Sequence, residues 1–160
     1  MNFAEPIRER QHVDDLLSYY SNLGENRNHL LIAMCLFTAL RISDILSLSC
    51  DDVYDFTTDT IRKTIHITEK QTGKSRIIPL HSQAVSALDA YKREAKAGVP
   101  LFLNPRTGKA ISRIQAHRII SRSGDGINLP YPISSHALRK TIEYHAWKEG
   151  NAAIMGWGGE

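Results

Sequence analysis

Two short runs hold the residue types best suited to gripping a phosphate. Ala39-Leu40-Arg41-Ile42-Ser43-Asp44-Ile45-Leu46-Ser47-Leu48 carries one arginine; Ser134-Ser135-His136-Ala137-Leu138-Arg139-Lys140-Thr141 carries a histidine and a second arginine. A guanidinium offers a planar fork of N–H donors that matches two phosphate oxygens at once. Two such groups with a titratable imidazole could stabilise the charge that builds on a phosphodiester during displacement. His136 and Arg139 stand three apart, so on a helix they share a face. A helix start at that point adds a favourable field for an anion. Both residue types are also common on any solvated helix, and spacing alone leaves that plainer reading open.

The elements that must position these groups follow from hydrophobic period and turn chemistry. Val13, Leu16, Leu17 and Tyr20 fall at i, i+3, i+4 and i+7, which predicts a helix over 13–23 stopped by Gly24. Residues 28–38 are apolar on nearly all sides and predict a helix at the centre of the core. Ser43 reads as the N-cap of a short helix over 44–49, which leaves Arg41 in the turn between a buried helix and a capped one. Asp44, near the positive end of that helix, either orients Arg41 or is a plain first-turn carboxylate.

Residues 60–68 alternate, with Ile61, Ile65 and Ile67 on one face. A second strand over 76–80 and the turn Gln71-Thr72-Gly73-Lys74 complete a hairpin with a basic tip. A further helix over 82–96, a short strand at 101–103 and a turn at Asn104-Pro105-Arg106-Thr107-Gly108 follow. Ser112 and Gln115 form a capping box for a helix ending near Ser123, and 124–132 reads as a Gly/Pro loop. Ser134 or Ser135 caps the last clear helix, which Gly150 ends; 151–160 has no pattern. The fold class is mainly α with a small three-stranded antiparallel β-sheet (α+β), in a single domain over 1–160 with an atypical tail at 151–160.

Bulk properties narrow the chemistry. The formal net charge of +3 and pI near 8.9 permit a nucleic-acid partner without requiring one. The cations are unevenly spread: Arg106, Lys109, Arg113, Arg118 and Arg122 lie in a stretch with His117 and no acid. A solvated helix face is the plain reading of that stretch, and a DNA-contacting face is the alternative. Cys35 and Cys50 offer no disulfide framework, and Cys35 sits inside an apolar run as a small core residue. The apolar run Leu30–Phe37 is too short to span a membrane, and the N-terminus has no signal-peptide character, so a cytoplasmic protein is expected. His12, His29, His66, His81, His117 and His145 show no metal-ligand spacing, so neither a metal nor another cofactor is expected. Thr72-Gly73-Lys74-Ser75 lacks the upstream glycine of a nucleotide-binding loop.

Three stretches in order resemble the tyrosine recombinases (phage integrase family). Leu40-Arg41-Ile42-Ser43-Asp44-Ile45-Leu46-Ser47-Leu48 is similar to the first arginine box, and His136-Ala137-Leu138-Arg139-Lys140-Thr141 to the second, a His-x-x-Arg signature. Thr68-Glu69-Lys70-Gln71-Thr72-Gly73-Lys74 with Ile78-Pro79-Leu80 is similar to the hairpin that bears the family's lysine. The resemblance covers nearly the whole chain and matches short standalone integrases without an N-terminal core-binding domain.

It implies cleavage and rejoining of double-stranded DNA through a phosphotyrosine intermediate. Arg41 and Arg139 would hold the scissile phosphate, and His136 would act as donor and acid/base partner. A hairpin lysine would protonate the leaving 5′-oxygen: Lys70, with Lys74 as second choice, since the family's lysine directly precedes Thr-Gly where this chain has Gln71. Lys74, Arg76, Arg113, Arg118 and Arg122 are candidate DNA contacts. The resemblance also admits a homo-oligomer on DNA.

The family's nucleophilic tyrosine has no match in these residues, so cleavage is not expected of them alone. The competing reading is a DNA-binding or regulatory remnant of an integrase, without chemistry. A helix-turn-helix regulator fits less well, because the predicted loop over 124–132 is far longer than that motif's turn.

Overall fold

The computed structural model describes residues 4–149. A nearly all-apolar helix sits at its centre. This helix, α2 (Asn26–Phe37), buries Leu30 through Phe37 and packs against α1 (Arg10–Asn22), α4 (Ser82–Tyr91) and α6 (Ser135–Glu149). A helix apolar all round must be covered on several sides, and three neighbours do so. α1 turns Val13, Leu16, Leu17 and Tyr20 inward, the predicted stripe. Around this bundle lie the short α3 (Ile42–Leu46), α5 (Arg113–Gly126) and the hairpin of β3 (Thr64–Thr68) and β4 (Ser75–Pro79). No helix among the described residues is long and apolar enough to cross a membrane. The expected tail at 151–160, and Gly150 as a helix stop, lie outside the described residues.

The strands differ from expectation. One three-stranded sheet was expected; three two-stranded antiparallel hairpins are found among the described residues. Besides β3–β4, β1 (Tyr54–Asp55) pairs with β2 (Thr60–Ile61), and β5 (Leu103–Asn104) with β6 (Lys109–Ala110). The expected third strand has its backbone groups engaged elsewhere. The Leu101 N–H bonds the Leu48 carbonyl, and the Ile111 N–H bonds the Phe102 carbonyl. These bonds tie the segment to Leu48 and to the β5–β6 hairpin and not to the β3–β4 ladder. The alternating run over 60–68 is likewise split, because the Arg62 N–H turns to the Val53 carbonyl.

Several helix ends also differ. α3 starts one residue before Ser43: Arg41 is its N-cap in extended conformation, and the Arg41 carbonyl accepts from the Asp44 and Ile45 N–H groups. α5 has the predicted Ser112–Gln115 capping box but runs through Gly124 to Gly126. These glycines are packing residues and do not stop the helix. A side chain at Gly124 would press on Ile133, and one at Gly126 would strike the Tyr19 ring. α4 is shorter than predicted and gives way to turns after Tyr91.

Candidate functional site

Each predicted group is carried by a segment whose backbone is tied to a neighbour. Arg41 leads into α3 straight out of the buried end of α2. The link between them, Thr38-Ala39-Leu40, is tight. The Thr38 hydroxyl donates to the Met34 carbonyl and accepts from the Leu40 N–H, and Ala39 takes φ +58°. That is left-handed backbone, costing a residue with a Cβ about 1–2 kcal/mol. Its carbonyl has a partner across the molecule: Nε of Arg139 donates to it at 2.9 Å. This one contact joins the two arginine runs. Arg139 is anchored through Nε, so its two terminal nitrogens are the ones a phosphate would meet.

The hairpin docks on the same spot. The Lys70 N–H donates to Oδ1 of Asp44 at 3.1 Å, and Asp44 is only 1% exposed. Asp44 therefore holds the turn that carries Lys70, and the carboxylate beside the Arg41 guanidinium is a different one. Glu69, in the turn after β3, places Oε2 3.9 Å from Nη1 of Arg41 and 2.8 Å from Nη1 of Arg76. Its Oε1 accepts from the Thr72 hydroxyl at 2.8 Å. The Arg76 hydrogen bond first, and the Thr72 hydroxyl second, hold the Glu69 carboxyl below the usual carboxylate range. The glutamate is buried, and its backbone also closes the turn: the Glu69 N–H bonds the Lys74 carbonyl, and the Gly73 N–H, at φ +70°, bonds the Glu69 carbonyl.

His136 is exposed on the first turn of α6, where the Ser134 hydroxyl accepts from the Ala137 N–H, and Arg139 follows one turn later. His136 faces a groove of about 1380 Å³ that it shares with His117, Tyr131 and Lys140. The far wall is the segment before α1, strapped onto α6. There the Ile7 N–H donates to the Thr141 hydroxyl, the Ile7 carbonyl meets His145, and Lys140 reaches the Ala4 carbonyl. Arg41, Lys70 and Arg139 lie outside this groove. A smaller cavity of about 280 Å³, beside Glu25, Arg27 and Tyr91, touches none of the predicted site residues.

The fold thus links the segments of Arg41, Asp44, Lys70, Arg76 and Arg139: Asp44 bonds the Lys70 N–H, Glu69 faces both Arg41 and Arg76, and Arg139 bonds the Ala39 carbonyl, with His136 one turn from Arg139. Lys74 is exposed across the hairpin turn, and Arg113 and Arg118 are exposed on α5. Two of the candidate DNA contacts already have partners. Arg76 bonds Glu69, and Arg122 grips Glu25 with both terminal nitrogens, at 3.0 and 3.3 Å, over the Tyr20 ring. Sequence reasoning missed Glu69 and Ala39. Glu69 had a signal, as an acid at a basic tip next to the candidate lysine. Ala39 had none, because nothing in its neighbours demands left-handed backbone.

Chemically, the arrangement offers fixed cations held by neutral or compensated partners, which suits an anion that gains charge as it reacts. A family model described as "Phage integrase family" matches residues 8–155. The chain is 33% identical over 148 residues to Probable integrase/recombinase YoeC of Bacillus subtilis (strain 168), covering 92% of this chain and 77% of that protein. It is 28% identical over 162 residues to Tyrosine recombinase XerD of Mycobacterium leprae, covering 89% of this chain and 49% of that one. The fold is similar to that of XerA recombinase, with a TM-score of 0.74 at 19% identity over 99% of this chain and 57% of the other. It is also similar to lambda integrase (residues 75–356) bound to DNA, with a TM-score of 0.68 at 15% identity over 96% and 55%. The chain spans about half the length of the XerD relative and of these two structures.

Proposed function

Because this chain belongs to the phage integrase family, we propose that it forms the phosphate clamp of a site-specific DNA recombinase. The observation that carries this reading is the bond from Arg139 Nε to the Ala39 carbonyl, which brings the two arginine motifs to one place. Double-stranded DNA is the partner, and a homo-oligomer on DNA is the expected working form. No cofactor enters the scheme.

In the proposed reaction Arg41 and Arg139 take the non-bridging oxygens of one phosphodiester. A tyrosine oxygen bonds to phosphorus, the bond to the 5′-oxygen breaks, and a lysine gives that oxygen its proton. Lys70 is the favoured donor, since its backbone is the one tied to α3; Lys74 is the alternative. Rejoining reverses the step, with a 5′-hydroxyl as attacker. His136 donates to the phosphate and exchanges a proton with the attacking or leaving group. Exposed Arg113 and Arg118 on α5, with Lys74, add contacts to the DNA backbone.

The nucleophile is not among the tyrosines whose surroundings are described. Tyr20 and Tyr54 are buried with their hydroxyls on backbone carbonyls, and Tyr91 is buried. Tyr19 packs on Tyr20, and Tyr144 packs with His145 and Trp147. Tyr131 borders the His136 groove, but partial burial raises its phenol, against phenolate formation. These residues are therefore proposed to bind DNA without cutting it, which also accommodates the reading of a DNA-binding remnant.

The test is a duplex-DNA titration over a salt series. Arg41→Ala and Arg139→Ala should each weaken binding about tenfold or more, the scale of a charge-assisted hydrogen bond, with the fold intact by circular dichroism. Unchanged binding by both variants would remove the clamp. A covalent protein–DNA adduct formed by these residues alone would remove the claim that they lack the nucleophile.

A further inference from the structure

Glu69 poses a problem for a phosphate clamp. It is a buried carboxylate beside Arg41, one of the two arginines that hold the phosphate in the proposed function, on which this inference rests. Left alone, it would compete with the ligand for the same guanidinium and repel the ligand's charge. The distances show how the conflict is resolved. Oε2 of Glu69 lies 2.8 Å from Arg76 but 3.9 Å from Arg41, and Oε1 is taken by the Thr72 hydroxyl. Both carboxylate oxygens are bonded within the hairpin, and Arg41 receives the remaining field without a hydrogen bond. The hairpin keeps this set together: Ile67 stands opposite Arg76 and Thr68 opposite Ser75 in the β3–β4 register. Arg76 therefore leaves the ladder close to the turn that presents Glu69.

We propose that Glu69 and Arg76 are a positioning pair, in which Arg76 neutralises Glu69 so that Glu69 does not capture Arg41 from the phosphate. Arg76 then acts on DNA through Arg41, and is not itself a phosphate contact. The two roles predict opposite responses to a second substitution, and so they can be separated.

Arg76→Met keeps the aliphatic stem and removes the charge. With Arg76 gone, Glu69 closes on Arg41. Duplex-DNA binding should fall about tenfold, and the slope of log K against log salt should become shallower by about one. Lys74→Met, the loss of an exposed cation in the same turn, is the control for a plain backbone contact. Adding Glu69→Gln to Arg76→Met should restore binding and slope, because Arg41 is released. The restoration must vanish in Arg41→Ala/Arg76→Met/Glu69→Gln, since the released group is then absent.

A double variant as weak as Arg76→Met would overturn the pair and make Arg76 a direct contact. So would a restoration that persists without Arg41, which would be a general effect of removing a negative charge. Wild-type binding by Arg76→Met would overturn it as well. Failure of the clamp reading itself looks different: Arg41→Ala alone would bind normally. If Arg76→Met does not fold, Glu69→Gln alone decides. The pair then requires binding at least as tight as wild type and a dependence on Arg41; weaker binding overturns it.

Discussion

An arginine faces a glutamate from another element both between α5 and the start of α2 and between α3 and the hairpin, and the two contacts end differently. Between α5 and the start of α2, Arg122 grips Glu25 with both terminal nitrogens and lies over the Tyr20 ring, whose hydroxyl bonds the Ile119 carbonyl. Both terminal nitrogens are bonded there, and a ring covers one face of the guanidinium. Between α3 and the hairpin, Arg41 meets Glu69 at 3.9 Å, and the carboxylate is already bonded to Arg76 and Thr72. The first arrangement is closed and joins helices. The second gives its carboxylate to another arginine and leaves the guanidinium of Arg41 available. The same pair of residue types therefore serves structure or ligand, according to which partner is saturated first.

The comparison sharpens if the open site loses its support. Asp44 is that support, a buried carboxylate whose Oδ1 takes the Lys70 N–H. Asp44→Ala should cost about 1–3 kcal/mol, the penalty for orphaning a buried hydrogen-bond partner. It should also release the hairpin from α3, so urea unfolding should shift and the Lys70 amide should exchange faster with solvent. Asp44→Asn, which keeps an acceptor oxygen, should recover the loss. A Lys70 amide that exchanges at the wild-type rate in Asp44→Ala would mean that other contacts dock the hairpin.

Breaking the closed site should matter less. Arg122 is half exposed, and exposed ion pairs contribute little. Arg122→Gln should lower Tm by no more than about 3 °C. It should weaken duplex-DNA binding far less than Arg41→Ala does. A loss as large as that of Arg41→Ala would mean that Arg122 leaves Glu25 for DNA, and the two sites would no longer differ in kind.

This contrast explains what could be read from the sequence. The helices of the core were legible because burial imposes a period: the stripe of α1 and the apolar run of α2 each appear where predicted. The Ser112–Gln115 box was legible because its chemistry is local. The two arginine runs and the hairpin were legible as motifs. What the sequence could not supply were relations between distant segments. Arg122 and Arg118 look alike in the chain, and only the fold puts Glu25 beside one of them. Gly124 looked like a helix stop, because nothing local reveals that Ile133 packs against it. The expected three-stranded sheet failed for the same reason. Whether residues 101–103 join the β3–β4 ladder depends on what else their N–H groups can reach, and they reach Leu48 first.

Ala39 tests the open site at its finest scale. Its carbonyl is the acceptor for Arg139, and its left-handed backbone, at φ +58°, directs that carbonyl. Glycine adopts this backbone without the steric penalty of a Cβ but loses more entropy on folding. The two terms, about 1–2 kcal/mol of relief against about 0.5–1 kcal/mol of entropy, leave a small net gain. Ala39→Gly should therefore raise the urea midpoint slightly without changing the m-value. The same freedom loosens the carbonyl that holds Arg139, so DNA binding should fall modestly while stability rises. Opposite signs in the two measurements are the informative result. They would mean that the chain keeps a strained alanine because the strain fixes an arginine. A variant that is both less stable and weaker in binding would mean that the entropy glycine loses outweighs the strain at Ala39, and that the strain does no positioning.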